Sequence, residues 1–505
     1  MKRARTQARM EQQRVQALEA EVASLKSQLE WFKQQVFGRK SEKRDIEVPE
    51  QPLLNGFEVA PAEKQPAESE TITYTRRKRR SDDCITDSGL RFDESVEVKT
   101  IHCQAPELSG EHADEYEIVS EKVTYRLAQR RSHYLVLKYI HPVVKHRDSA
   151  RLTTTPAPST LWRGSIADVS VVAGLLVEKF VYHLPVYRQH QRLARDGITV
   201  SRESLTNWTS LGIRLLEPIY DAQLRNILRS KHLAIDETPV KAGRAKKGKM
   251  HIGWYWPVYG EDDEVAFTYS PSRGHQHLVT TLGDYRGTLL TDGYAAYSKF
   301  ARRCTELEHA QCWSHSRREF IKAEKVEPDA VAVALEHIGK LYQVETAVRN
   351  EGLTGDDKRA YRQANARPHV DAFFAWCDDE CQRLDLVPSN KLAKALKYVR
   401  QREAALRLYL DDPELDIDTN HLERTLRAIP MGKKNWLFCW TEVGAQLVGI
   451  VQSLLTTCRL HRLDPYTYLV DVLQRVAQHP AADVDQLTPR LWKSHFAAAP
   501  LTTNA

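Results

Sequence analysis

Apolar residues near the start of the chain recur at alternating spacings of three and four positions. The series is Val15, Leu18, Val22, Leu25, Leu29, Phe32 and Val36. Valine at a and leucine at d are typical of a parallel two-stranded coiled coil. The pattern therefore predicts a dimerising coiled coil over residues 8–36, within an N-terminal segment 1–43. The alternative is an amphipathic helix that packs against its own chain.

The next stretch lacks the apolar density of a folded core. Residues 44–75 are rich in Pro, Glu and Ala, and residues 76–80 are five consecutive cations. The composition predicts a linker over 44–80 that is first acidic and then basic. The basic block would neutralise DNA phosphates, or it is a solvated run of charge.

Strand-like alternation follows, as in YLVLKYI at 134–140, and it predicts a small β-rich module over 81–160. The module contains Cys84, Cys103 and several histidines. Because a structural zinc site needs four ligands in paired short spacings, which are missing here, the sequence predicts no zinc.

Residues 161–228 have a helical pattern with a helix-turn-helix shape. A first helix ends at Gly197, and Ser201 caps a second helix that carries Ser204 and Asn207 on its exposed side. Such a second helix would lie in the major groove of DNA. An ordinary helical hairpin is the alternative.

From residue 229 the pattern changes to short buried strands. Three such runs, a fourth, and a fifth after a helix predict a mixed α/β sheet over 229–326, and their order fits an RNase H-like core. Helical periodicity then predicts an α-helical insertion over 327–415. The core resumes over 416–478, and a C-terminal tail covers 479–505.

Two of the buried runs end in an acid. HLAIDETPV places Asp236 and GTLLTDGY places Asp292 at the mouth of a strand. A carboxylate in this position is costly unless a cation compensates its charge, and oxygen ligands suit Mg²⁺ or Mn²⁺. Taken alone, an aspartate in this position is more often a helix cap or a loop residue than a metal ligand.

A third acid falls in DIDTNHLERTLRAIPMGKKNW. Asn420 is predicted to cap a helix whose buried stripe is Leu422, Leu426 and Ile429, with Glu423 at the edge of the core. A cationic surface beside it is predicted from Arg424, Arg427, Lys433 and Lys434. Glu423 alone also reads as a first-turn carboxylate that stabilises the helix dipole.

The segment CWSHSRREF predicts a turn and the start of a basic helix. Arg317 and Arg318 would contact DNA phosphate. The other interpretation, with His309, Cys312 and His315 as metal ligands, lacks the spacing of a known ligand set.

The overall composition limits the class of protein. The chain has 505 residues, a formal charge of +6, 42% apolar and 28% charged residues and eight cysteines. These values predict a multidomain globular protein with free thiols and exclude collagen-like and wholly disordered chains. No run of 18 apolar residues and no secretory h-region are found, so no membrane partner and a cytoplasmic location are expected.

Several motifs in order resemble a known family. The strings HLAIDETPV, LLTDGYAAY, HAQCWSHSRREF and IDTNHLERTLRAIPMGKKNWLF are similar to those of insertion-sequence-66 family transposases, which are DDE-type bacterial DNA transposases. The likeness extends to FGRKSE at the end of the predicted coiled coil and to DPYTYLVDVLQRV near the carboxyl terminus.

The resemblance implies a function and a site. Asp236, Asp292 and Glu423 would form the catalytic triad and hold two Mg²⁺ or Mn²⁺ ions ~3.5–4 Å apart for in-line phosphoryl transfer. DNA would be the substrate, as element terminal repeats and as target, and the coiled coil would pair at least two protomers. Accessory proteins encoded by the same element are also implied.

One departure from the family pattern concerns zinc. Similar proteins carry paired cysteines after the coiled coil, whereas the matching region here keeps only Cys103. The 81–160 module is therefore expected to be a degenerate zinc-finger-like module without metal. Two other functions remain open: a catalytically inactive DNA-binding protein derived from a transposase, and an RNase H-like nuclease.

Overall fold

The computed structural model describes most of the chain beyond residue 83. The described residues are 84–85, 89–109, 113–130, 133–148, 151–155, 160–246, 249–436, 439 and 441–504. All of them belong to one compact unit, Arg79–Ala505. The coiled coil predicted at 8–36 and the linker predicted at 44–80 lie outside the described residues.

The described chain is a mixed α+β structure with three sheets. The strands are β1 Cys84–Ile85, β2 Arg91–Phe92, β3 Val98–His102, β4 Tyr116–Gln129, β5 Tyr134–His146, β6 Leu152–Thr154, β7 Ile198–Thr199, β8 His232–Ile235, β9 Thr238–Lys246, β10 Lys249–Tyr259, β11 Val265–Ser270, β12 Gly287–Thr291 and β13 Leu307–Gln311. Two small sheets have the orders β1-β2-β7 and β3-β5-β4, with β6 paired to β5.

Helices surround the sheets and fill most of the carboxyl-terminal half. They are α1 Val169–Phe180, α2 Val186–Arg195, α3 Arg202–Leu215, α4 Glu217–Ile227, α5 Gln276–Leu282, α6 Ala295–Ala301, α7 Trp313–Ile321, α8 Pro328–Asn350, α9 Gly355–Asn365, α10 Arg367–Cys381, α11 Lys391–Arg400, α12 Glu403–Arg407, α13 Asn420–Leu426, α14 Ala428–Trp436, α15 Glu442–Leu460, α16 Pro465–Arg475 and α17 Pro489–His495. Short 3-10 helices lie at Pro106–Leu108, Ala113–Glu115, Leu408–Leu410 and Ala481–Leu487.

The central sheet has the order β11-β10-β8-β12-β13, and β9 pairs with β10. Strands β8, β12 and β13 are parallel, whereas β10 runs antiparallel to β8, β9 and β11. The carboxyl ends of β8 and β12 therefore meet at the same edge. Strand β9 is not predicted from the sequence, because its outer half is cationic rather than apolar.

Alternating side chains of β8 enter two different cores. Leu233 and Ile235 pack with residues of α5 and α6, such as Leu278 and Tyr297. Ala234 faces the opposite core, which α15 helps to form. By length and composition α15 would be able to cross a membrane, but 72% of its apolar window is buried inside the protein, as expected for a core helix.

The helix pair around Gly197 has the predicted ends. Helix α2 stops before Gly197, which has φ +78°, a conformation that glycine adopts without steric cost. The hydroxyl of Ser201 accepts a hydrogen bond from the Ser204 amide at 3.0 Å and thereby caps α3. The short strand β7 between the two helices pairs with β2, so the turn is held in a small sheet.

A buried ion pair ties the helical segment to the chain that leads into α13. Arg362 is fully buried and makes two 2.8 Å bonds to the carboxylate of Glu345 on α8. Its guanidinium also donates to the carbonyls of Tyr409 and Leu415. Charge-assisted bonds of this kind fix the relative position of the elements that they join.

Candidate active site

The three predicted acids come from three separate elements. Asp236 directly follows β8, Asp292 directly follows β12, and Glu423 lies in the first turn of α13. Because β8 and β12 are parallel neighbours, the two aspartates emerge at the same edge of the central sheet. Backbone amides orient them: Asp236 accepts from the Glu237 amide at 2.7 Å, and Asp292 accepts from the Tyr294 amide at 2.8 Å.

Carboxylate and imidazole groups converge around Asp236. Possible ligand atoms of Asp236, Glu237 and Asp292 lie within 4.8 Å of one another, and the same limit holds for Asp236, His315 and Glu423. Asp236 is common to both groups. The edge therefore offers two adjacent sets of ligand atoms that share one carboxylate.

The acids at this edge outnumber the arginines that pair with them: Arg273 bonds to Glu237 and Arg318 to Glu423, whereas no arginine is paired with Asp236 or Asp292 within the described residues. Burial, together with the negative charges of Glu237, Asp292 and Glu423, raises the pKa of Asp236 to about 7, against the bond from the Glu237 amide. A like-charged, partly buried carboxylate cluster is stabilised by a bound cation. The oxygen-rich donor set therefore fits a divalent metal ion.

Glu237 was not predicted as a site residue. Its carboxylate is 1% exposed, and it accepts hydrogen bonds from the Tyr297 hydroxyl and from Arg273, whose Nε lies 3.0 Å away. Burial raises the pKa of Glu237 although these bonds oppose the shift. The sequence signal for Glu237 is its position directly after Asp236, as the second of the two acids that end HLAIDE.

Arg273 links this carboxylate to an aromatic surface. Its guanidinium lies 4.6 Å from the ring centre of Trp254 and 4.0 Å from that of Tyr294. The Tyr294 hydroxyl donates to the carbonyl of Arg273 at 2.9 Å. The flat guanidinium is thereby held between two rings beside the acids.

Glu423 has cationic and imidazole neighbours on α7. Both of its carboxylate oxygens accept bonds from Arg318 at 2.5 Å, and His315 Nε2 lies 3.8 Å from Oε1. Burial lowers the pKa of His315, and its Nδ1 has no hydrogen-bond partner among the described residues. The sequence predicts that Arg318 contacts DNA phosphate, whereas in the structure its guanidinium pairs with Glu423, a predicted catalytic acid.

The helix that carries Glu423 differs from the prediction in two respects. Asn420 does not cap it; Asn420 is its first residue, and the buried Asp418 accepts the Asn420 amide at 2.9 Å. The predicted single helix is also divided at Arg427 into α13 and α14, so Lys433 lies within a helix rather than beyond one. The stripe of Leu422, Leu426 and Ile429, spaced i, i+4 and i+7, predicts one continuous helix.

The remaining predicted DNA-binding residues are dispersed. Four are exposed cations, namely Arg317, Arg424, Arg427 and Lys434. Lys433 is half-buried and donates to the carbonyl of Pro239 at 2.9 Å. Ser204 and Asn207 lie on α3, half-buried and exposed respectively, and belong to neither ligand group.

By comparison with known families, the chain is a transposase. The profile described as "Transposase IS66 family" matches residues 164–447. The "IS66 C-terminal element" matches 453–490, and "Transposase C of IS166 homeodomain" matches 24–84. The chain belongs to the Transposase IS66 family. The last match covers much of the segment in which a coiled coil and a linker are predicted.

Three curated relatives come from Sinorhizobium fredii. The chain is 29% identical to "Uncharacterized protein y4jD" over 67% of this chain and 69% of the relative. It is 27% identical to "Uncharacterized protein y4hP" over 75% and 72%, and 29% identical to "Uncharacterized protein y4qI" over 66% and 64%. Their names state no activity.

Proposed function

We propose that this transposase is a DDE enzyme that binds the ends of a bacterial insertion sequence and catalyses metal-dependent strand cleavage and strand transfer. The observation that carries the proposal is the meeting of Asp236 and Asp292 at the carboxyl edge of parallel neighbours, with Glu423 beside them. Three antiparallel strands followed by two parallel ones, in the order β11-β10-β8-β12-β13, support an RNase H-like core.

The residues suggest how the site would work. Asp236, Asp292 and Glu423 would hold Mg²⁺ or Mn²⁺, two ions per site. When bound, such ions supply Lewis acidity at the scissile phosphate and lower the pKa of the attacking water or 3′-hydroxyl. Glu237, fixed by Tyr297 and Arg273, would hold the turn that carries Asp236 in place.

Other parts of the chain would bring DNA to the acids. The helix-turn-helix around Gly197 would hold the terminal repeats, together with the exposed cations near α13. The segment 8–36 would pair protomers so that two element ends meet, with accessory proteins of the element assisting. Backbone contacts position the DNA, and base contacts give specificity.

The test is joining of a labelled terminal repeat of the encoding element to a plasmid, in Mg²⁺ or Mn²⁺. We expect wild-type joining, and we expect Asp236→Asn, Asp292→Asn and Glu423→Gln each to abolish it while the binding of the end persists. The substituted side chains keep their size and lose the charge that would hold the metal ions.

Two outcomes would replace this proposal. Binding of ends without cleavage or joining, even with the element's companion proteins, would identify an inactive DNA-binding derivative. Metal-dependent cleavage of an RNA–DNA hybrid without any strand transfer would identify an RNase H-like nuclease.

A further inference from the structure

The hairpin sequence that contains β9 and β10 has basic residues and no acidic ones. Between Thr238 and Tyr259 the sequence contains five lysines and arginines, at 241, 244, 246, 247 and 249, and no acid. Lys241, Arg244, Lys246 and Lys249 are exposed, and none of the four forms an ion pair within the described part of the chain. Their charges are therefore available to an anionic partner.

The base of the hairpin has one buried face and one open face. Val240 and Tyr255 are buried on the side that α15 covers, where the Tyr255 hydroxyl donates to the Ala445 carbonyl. Because successive side chains of a strand alternate, Lys241 lies on the other face, opposite Ile252, whose side chain is 60% exposed.

The open face begins at the acidic centre. Pro239 pairs with Trp254 next to the Lys241–Ile252 pair and on the same face. Arg273 lies over the Trp254 ring, and its Nε is 3.0 Å from the carboxylate of Glu237. Glu237 in turn follows Asp236 directly in the chain. Lys241 therefore lies on the face that reaches the edge at which the acids meet, and the exposed Arg244, Lys246 and Lys249 follow it farther along the hairpin.

The outer strand of the hairpin is fixed on its free edge. The Cys439 amide donates to the Lys241 carbonyl at 2.9 Å, and the Gly243 amide donates to the Cys439 carbonyl at 3.1 Å. Lys433 also donates to the Pro239 carbonyl. These bonds hold the base of the ribbon in one orientation relative to the acids.

We propose that the paired strands β9, Thr238–Lys246, and β10, Lys249–Tyr259, form a DNA-binding ribbon that holds duplex DNA against the acidic centre. Lys241, Arg244, Lys246 and Lys249 would neutralise backbone phosphates, and Ile252 would contact the groove wall between them. A two-stranded β-ribbon fits the major groove, and its cations match the charge of the duplex. The assignment of the ligand rests on the proposed function.

The experiment measures the salt dependence of duplex binding by the full-length chain without divalent metal. Affinity falls as salt rises, and each lost phosphate contact reduces the magnitude of the slope of log affinity against log salt, hereafter the slope, by about 0.9. We expect K241Q/R244Q to reduce the slope by about 1.8, and the variant with all four cations replaced by Gln to reduce it by about 3.6. The matched control is R302Q/R303Q, two exposed arginines that follow α6 at the opposite edge of the sheet, where no change of slope is expected.

The outcomes separate this inference from the proposed function. If the wild type joins ends and the slope is the same in the hairpin variants, the ribbon is not a DNA site although the transposase proposal stands. If the wild type joins nothing but the slope still falls in the hairpin variants alone, the ribbon binds DNA and the catalytic proposal fails. Unchanged circular dichroism of both double variants confirms that folded proteins are compared. Ile252→Ser supplies a test that leaves the cations intact: it should weaken binding with little change of slope, because it removes apolar contact and no charge.

Discussion

The two ends of strand β8 carry ionisable groups in opposite electrostatic situations. At its amino end His232 is 8% exposed and lies between two carboxylates: its Nδ1 bonds to Glu261, and its Nε2 lies 2.7 Å from Asp412. Lys231 is a further 3.5 Å partner of Asp412. At the carboxyl end Asp236 instead meets three other acids.

The pKa shifts of the two ends have opposite signs. Burial would raise the pKa of Asp412, but the bond to His232 and its charge outweigh burial and lower it. Burial and like charges raise the pKa of Asp236 to about 7. A compensated cluster stabilises the fold as it stands, whereas an uncompensated one is stable only with a cation, which is the usual condition of a functional site.

The largest expected effect separates the two carboxylates by function. Asp236→Asn should lower the rate of end joining by on the order of 10³-fold, the scale on which one electrostatic group counts at a reacting phosphate. Asp412→Asn should leave joining nearly unchanged and lower the free energy of unfolding by about 1–3 kcal/mol, because His232 loses a charged acceptor. Joining rates and thermal unfolding of both variants, without metal, check the prediction.

Loss of joining by Asp412→Asn, while it remained folded, would contradict the distinction between a functional Asp236 and a structural Asp412. The same distinction would be contradicted if Asp236→Asn lowered the stability of the metal-free protein, since removal of a crowded charge should leave that stability equal or higher. Mg²⁺ should raise the unfolding temperature of wild type and of Asp412→Asn, but not that of Asp236→Asn.

A smaller effect is expected from two glycines at opposite ends of β12. A Cβ at Gly293 would overlap the ring of Tyr398, whose neighbour Arg402 donates to the Gly293 carbonyl at 3.0 Å. Gly293→Ala would therefore shift the turn after Asp292. Because a displacement of about 1 Å at a reacting centre costs about 10²-fold in rate, joining should fall by 10–10²-fold.

Gly287 begins the same strand and gives the matched control. It has φ 145°, and a Cβ there would overlap the Lys231 carbonyl. Gly287→Ala should cost about 1–3 kcal/mol of stability through backbone strain and leave the joining rate per folded molecule unchanged. Equal losses of activity per folded molecule in both variants would contradict the comparison.

The strands and two of the acids could be predicted because their signals are local. HLAID and LLTD each combine a buried apolar run with a terminal acid, and parallel neighbours place both acids at one edge. Glu423 was identified mainly through the resemblance to transposases, because a glutamate in a first helical turn is ordinary in itself.

Other features of the site depend on contacts that no spacing reveals. The pairing of Arg318 with Glu423 joins residues 105 positions apart, and Tyr297 reaches Glu237 across 60 positions. The ribbon was missed for a different reason. Strand β9 is held by pairing with β10 along its length and by Cys439 near its base, so its sequence does not need the apolar alternation that marks a buried strand.

The smallest effect is expected at Glu264, which tests whether a raised pKa is sufficient to identify a functional acid. Glu264 precedes β11 at the amino edge; its Oε1 is buried without a hydrogen-bond partner among the described residues, and Arg490 lies 3.4 Å from Oε2. Burial raises the pKa of Glu264 to about 7 although Arg490 opposes the shift.

Between the ordinary pKa of the unfolded chain and about pH 7 the folded state then holds a proton that the unfolded state has lost, so this residue makes stability fall as pH rises. Glu264→Gln should remove that contribution, so that the variant gains about 1–3 kcal/mol relative to wild type between pH 5 and pH 8, with joining unchanged. Chemical denaturation at the two pH values measures the difference. If it is constant with pH, Glu264 is ionised in the folded protein, and if joining is lost at constant stability, the amino edge takes part in the reaction after all.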